Sequence, residues 1–237
     1  LTAALLLLAT ANLRAGAPNG VVVGSVCGGG PSPFYGYVEG NPANSTDAMF
    51  HTPIGLALDS SGELLFVADR DNNAIRVVDL PSSSSHYNLT YTFAPIPGYT
   101  SGTITSPVGV ALDVEDNVYV LNRGNGKNGR VVVFDYYYAD PLATNALALT
   151  NANAITLDNA GTVYVTASNK LFRITFTNDF TASFTTNIAT VTNAGANLQG
   201  VVVMDSGMIA ACDSGRHGIY LINPTNGAIS TLTGFNG

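Results

Sequence analysis

One pattern recurs four times along the 237-residue chain: an apolar strand closed by an aspartate, a small turn, a second apolar strand, a polar loop and a third apolar strand. Residues 53–80 read PIGLALDSSGELLFVADRDNNAIRVVDL, and residues 107–135 read PVGVALDVEDNVYVLNRGNGKNGRVVVFD. A shorter copy, NAITLDNAGTVYVTASNKLFRIT, occupies 153–175, and LQGVVVMDSGMIAACDSGRHGIYLIN occupies 198–223. The aspartates fall at Asp59, Asp113, Asp158 and Asp205, which sets spacings of 54, 45 and 47 residues. A period of that length built from strands is the mark of propeller blades.

Within the first copy, residues 55–58 form a strand of small residues suited to a crowded inner position. Ser60-Ser61-Gly62 is a hairpin turn, with Gly where a positive φ is needed. Residues 64–68 are continuously apolar, as expected of a strand covered on both faces. Residues 74–80 and 87–94 supply the third and fourth strands. The expected fold is all-β: a β-propeller of four-stranded antiparallel blades at roughly 53–94, 107–150, 153–191 and 198–233. Residues 21–26 add an orphan outer strand of an incomplete blade, so the ring is expected to be open or truncated. A compact ring with an irregular seam is the alternative. The strand-end aspartates, with Asp69 and Asp213, are expected to cap turns through their own backbone.

Composition narrows the partners. Charged residues make up 11% of the chain, against about 25% in ordinary domains. Net charge is −7, with Lys127 and Lys170 the only lysines. Polyanions are bound by clustered basic side chains, so nucleic acid and anionic membrane surfaces are excluded as main partners. Residues 3–11 form a small-apolar run too short to span a bilayer, and Ala15-Gly16-Ala17 supplies a cleavage pattern. Residues 1–19 therefore read as a signal-peptide-like segment ahead of a propeller at 20–237, with a short helix as the alternative. Asn44 and Asn88 open glycosylation sequons, which fits a secreted or cell-surface protein. Cys27 and Cys212 form a disulfide if the array brings them together, and otherwise are small buried hydrophobes.

The first copy also resembles the NHL-repeat family of β-propellers, through Pro53, Gly55, Asp59, Gly62, Val67, Asp69, Asn72, Ile75, Arg76 and Asp79. Pro107, Gly109, Asp113, Val120, Arg130 and Asp135 carry it in the second copy, and Gly200, Asp205, Gly207 and Asp213 in the fourth. The resemblance implies a closed ring of about six blades, so the chain reads as a fragment cut at both ends, with an apolar flank left bare. It also implies that enzymes on this scaffold use a His-ligated metal or a His base. Of the three histidines here, His51 sits in a linker, His86 in a turn of the opposite face and His217 in a loop, so they are not expected to converge. No cofactor is expected. Calcium held by Asp and Asn oxygens in the central channel is conceivable, but no carboxylate cluster supports it.

The loops between the second and third strands share a face with the linkers between blades. Binding concentrates on such loops. The candidate residues are Asp69, Arg70, Asn72, Arg123, Asn125, Arg216 and His217, joined by Tyr35 and Tyr37 of the long linker. The expected function is a non-enzymatic extracellular scaffold that binds protein or glycan through this face. A structural subunit of a self-assembling surface layer is the alternative, and a lyase or hydrolase is a lesser one.

Overall fold

The computed structural model describes residues 38–39, 48–80, 89–95 and 104–234. Among the described residues, sixteen strands form four antiparallel sheets, each wound in simple sequence order. The first sheet is β1 (Pro53–Leu58), β2 (Leu64–Asp69), β3 (Ala74–Asp79) and β4 (Thr90–Ala94). The second is β5 (Pro107–Leu112), β6 (Val118–Asn122), β7 (Arg130–Phe134) and β8 (Pro141–Thr144). The third is β9 (Ala152–Leu157), β10 (Val163–Ala167), β11 (Lys170–Phe176) and β12 (Ser183–Thr190). The fourth is β13 (Leu198–Val203), β14 (Ile209–Asp213), β15 (Gly218–Ile222) and β16 (Ile229–Gly234). The first strands pack in succession, β1 on β5, β5 on β9 and β9 on β13, around a common axis. Among the described residues the four sheets do not close into a ring, the arrangement of an open propeller. The signal-like segment 1–19, the orphan strand at 21–26, Cys27, Tyr35, Tyr37, Asn44, His86 and Asn88 lie outside the described residues.

The core lies between the sheets. Phe66, Ile75 and Val77 of the first sheet meet Val110, Val120, Val132 and Phe134 of the second. Tyr119, Val131 and Val133 meet Val163, Val165 and Ile174. Tyr164 and Leu171 meet Leu198, Ile209, Ala211 and Tyr220. Strands β2, β6 and β10 are therefore buried on both faces, apart from the edge residue Leu64. In β14 burial alternates, since only its Ile209 and Ala211 side faces a neighbouring sheet. Cys212 faces the other way and is exposed, contrary to its reading as a buried hydrophobe.

Close approach at the axis depends on glycine. A Cβ on Gly55 would stand 2.7 Å from the Gly109 Cα, and one on Gly109 would stand 2.7 Å from the Ile155 side chain. The first of these obstacles is backbone, which cannot swing aside. Gly55→Ala is expected to lower stability by about 1–3 kcal/mol, as overpacking does, in urea denaturation. An unchanged midpoint would show that β1 and β5 separate freely.

Aspartate caps recur at the opposite ends of the sheets. Asp59 accepts from the Glu63 and Leu64 amides, Asp113 from those of Glu115 and Asn117, and Asp158 from those of Ala160 and Thr162. Burial pushes the Asp59 carboxyl up, but the bonds from Ser61, Leu64, Tyr136 and Glu63 outweigh it and hold the group below its ordinary range. The fourth copy departs from the pattern. The amide that closes its turn belongs to Met204, and Asp205 is exposed one residue further on.

Candidate functional site

Four equivalent hydrogen bonds tie the loops between second and third strands to the linkers between sheets. The amides of Arg70, Arg123, Ser168 and Ser214 donate to the carbonyls of Thr52, Ser106, Asn151 and Asn197. Three of these linker residues, Thr52, Ser106 and Asn151, have left-handed backbone, with φ of 61°, 48° and 51°. Non-glycine residues in that region are costly, and such strain gathers where the surroundings impose it. The linkers are thus bent sharply under the loops just before each inner strand begins.

Each inner strand then breaks register with its partner. The pairing steps from Pro53 to Gly55, from Pro107 to Gly109, from Ala152 to Ala154 and from Leu198 to Val201. The residues passed over are Ile54, Val108, Asn153 and the pair Gln199-Gly200. A bulge bends its strand and re-aims the side chain it frees. All of these residues line one cavity of about 420 Å³ at the axis of the arc. Leu56, Val110 and Ile155 extend its apolar wall, and Arg70 and Arg123 complete it from the loops above.

The polar groups at this cavity differ in how far they are already engaged. Arg70 is one-third exposed and donates from Nε to Asp71 Oδ1 at 2.8 Å. That bond, with one from Thr52, holds the Asp71 carboxyl at about 2. Asn153 gives its side-chain amide to the Leu198 carbonyl at 2.7 Å. Arg123, half-buried, has no ion pair among the described residues. No Asp, Glu, His or Cys side chain is among the described residues lining the cavity. The arrangement is a set of donors over an apolar wall, able to hold and polarise an electron-rich ligand.

Other residues singled out in the sequence are placed elsewhere. Asp69 is fully buried and accepts from the His51 amide at 2.7 Å and from Asn72 Nδ2 at 2.7 Å. Burial pushes its carboxyl above the ordinary range despite these bonds. Asn125 caps its own loop by accepting from the Lys127 amide. Arg216 is exposed, and His217 lines a separate cavity of about 430 Å³ with Cys212, Asp213, Ile219 and Thr233 at the last sheet. Asp213 caps the fourth loop, accepting from the amides of Asn197, Gly215 and Arg216. Asn153 and Gln199 were not foreseen as site residues. Their signal was polarity at the start of inner strands that are otherwise apolar. Among the described residues, no group of three or more His, Cys, Asp or Glu is placed to hold a metal ion.

No protein-family model and no curated protein sequence matches the chain. Solved structures do. A streptogramin B lyase superposes with a TM-score of 0.58 at 13% identity, over 82% of this chain and 57% of its own. A gluconolactonase from Xanthomonas campestris gives 0.62 at 14% identity, over 82% and 64%. A nidogen/laminin complex gives 0.59 at 21% identity, over 78% and 65%. The chain thus spans somewhat over half the length of these proteins, and the likeness establishes a β-propeller fold. It also corrects the expectation of a non-enzymatic scaffold or surface-layer subunit. Proteins of like fold include a lyase and gluconolactonases, and the lyase-or-hydrolase alternative fits them better.

Proposed function

We propose that the chain is an NHL-type propeller of hydrolytic or lyase class, acting on a small ester or lactone held at its axis. The observation that carries this reading is the axial cavity, into which every inner strand delivers its bulged residue and two loops deliver arginines. Its volume lies within the roughly 300–1,000 Å³ of small-molecule sites. The Arg123 guanidinium and the Gln199 amide donate to the acyl oxygen, where negative charge grows as hydroxide adds to the carbonyl carbon. The acyl C–O bond then breaks, and the departing alkoxide takes the proton of the new carboxylic acid, leaving a carboxylate and an alcohol. Donors set in place beforehand stabilise such charge without reorganising. Secretion and glycosylation at Asn44 and Asn88 belong to the same reading, supported by the low charge and the sequons.

Hydrolysis of aryl esters and γ-lactones by the purified protein is the test. Arg123→Ala is expected to lower kcat about 10²–10³-fold, the usual cost of losing one oxyanion donor. Because the described lining holds no general base, the rate is expected to follow hydroxide concentration through neutral pH without a plateau. Equal rates for wild type and Arg123→Ala, or no turnover of any ester or lactone, would remove the reading.

A further inference from the structure

We infer that the ligand class of the axial cavity is an amphipathic monoanion: a carboxylate carried on an apolar body, and not a polyhydroxylated acid. The inference rests on the axial cavity being the substrate site and concerns what that site selects. The protein as a whole is acidic, with 16 carboxylate side chains against 9 basic ones. A cavity in such a protein that two arginines line and no described carboxylate lines is a local reversal of sign. Field lines focus in a cleft with low-dielectric walls, so the reversal is felt along the apolar wall, where Val108 and Val110 are buried and Ile54 and Leu56 half-exposed.

The two arginines are not equal. Asp71 lies against Arg70 and answers much of its charge. Arg123 has no such neighbour among the described residues, and its planar fork matches a carboxylate in two parallel bonds. A half-buried guanidinium that offers one N–H to a single acyl oxygen leaves its paired donor unmet, whereas a carboxylate engages both. Apart from Gln199, the rest of the wall decides against sugars. The apolar bulged side chains, Ile54 and Val108, offer no hydrogen bond, and Asn153 has already given its amide to Leu198. A polyol placed there would lose water contacts that five aliphatic side chains cannot replace. An alkyl or aryl body gains by the same contact.

The test is binding, read by calorimetry or by ligand-observed NMR in low salt, with octanoate, octanol and gluconate as probes. Octanoate is expected to bind at least tenfold more tightly than either of the others. Arg123→Gln should abolish its advantage over octanol, and Arg123→Lys should keep part of it. Leu56→Asn, at a half-exposed position, should abolish its advantage over gluconate. Thermal melts that match wild type confirm that the variants are folded. Equal affinity for octanoate and octanol, or tighter binding of gluconate, overturns the inference. Binding and turnover separate the two readings. Anion selectivity without ester hydrolysis retains the ligand class and removes the hydrolase. Ester hydrolysis without anion selectivity does the reverse.

Discussion

Arg76→Met is expected to cost about 3–5 kcal/mol of folding free energy, the penalty for breaking a buried ion pair from one side. Arg76 is wholly buried on β3. Its Nη1 donates to the Met49 carbonyl at 3.0 Å and lies 3.5 Å from Asp69 Oδ2. Its Nη2 donates to the Val38 carbonyl at 2.9 Å and to Glu39 Oε2 at 3.1 Å. The Phe50 ring packs 5.3 Å from the guanidinium. One side chain therefore fastens residues 38–39 and 49–50 onto the first sheet. Methionine fills similar volume but leaves Asp69 buried without its cation and the Met49 carbonyl without the Arg76 donor, while the Val38 carbonyl keeps the Met49 amide.

The deficit is expected to depend on pH. Burial raises the Asp69 carboxyl above its unfolded value, so the folded state of the variant is favoured when that group is protonated. Its stability is therefore retained at acid pH and lost as pH rises through the raised titration. Adding Asp69→Asn should recover part of the loss at neutral pH. Urea denaturation at pH 4 and pH 7 decides. A loss below 1 kcal/mol, or one independent of pH, would mean that Arg76 is not the clamp.

Phe66→Ala carries a comparable loss, about 3–5 kcal/mol, because a large buried ring leaves a cavity that packed sheets cannot collapse. Phe66 on β2 is 1% exposed. It meets the Phe93 ring edge-on at 5.3 Å and the Tyr136 ring at 6.0 Å. Phe93 in turn meets Phe134 of the second sheet at 6.2 Å. The cluster is the seam between the first two sheets, and Tyr136 also bonds back across it to Asp59 Oδ2 at 3.2 Å. Repeat arrays draw their cooperativity from such seams. Hydrogen exchange of the variant is expected to show residues 64–79 losing protection first while residues 163–222 keep theirs. Uniform loss across all four sheets would show that the seams are not separable.

Much of the architecture is local, and so was legible in the residues. Strand number and order follow from short apolar runs divided by turns, because an exposed strand edge is satisfied by the next run along the chain. The caps at Asp59, Asp113 and Asp158 were readable for the same reason, since donor and acceptor lie within five residues of each other. Asp205 was misplaced because one residue of register shifts a cap without altering the pattern of apolar letters. Asp69, Arg76 and the paired glycines at 55 and 109 were visible as recurring letters, but not what they touch.

The site belongs to the tertiary structure. Arg70 and Arg123 are 53 positions apart, as their numbers show, and they share a cavity only because β1 packs on β5. Ile54, Val108, Asn153 and Gln199 line the axis because each inner strand slips register, three of the four beneath a left-handed linker residue, a distortion that no period-two pattern encodes. The blades, their strand order and the capped turns follow from the residues alone, since those rest on contacts a few residues apart. Which side chains meet at the axis was decided by the packing of one sheet on the next, where distance along the chain no longer measures distance in space.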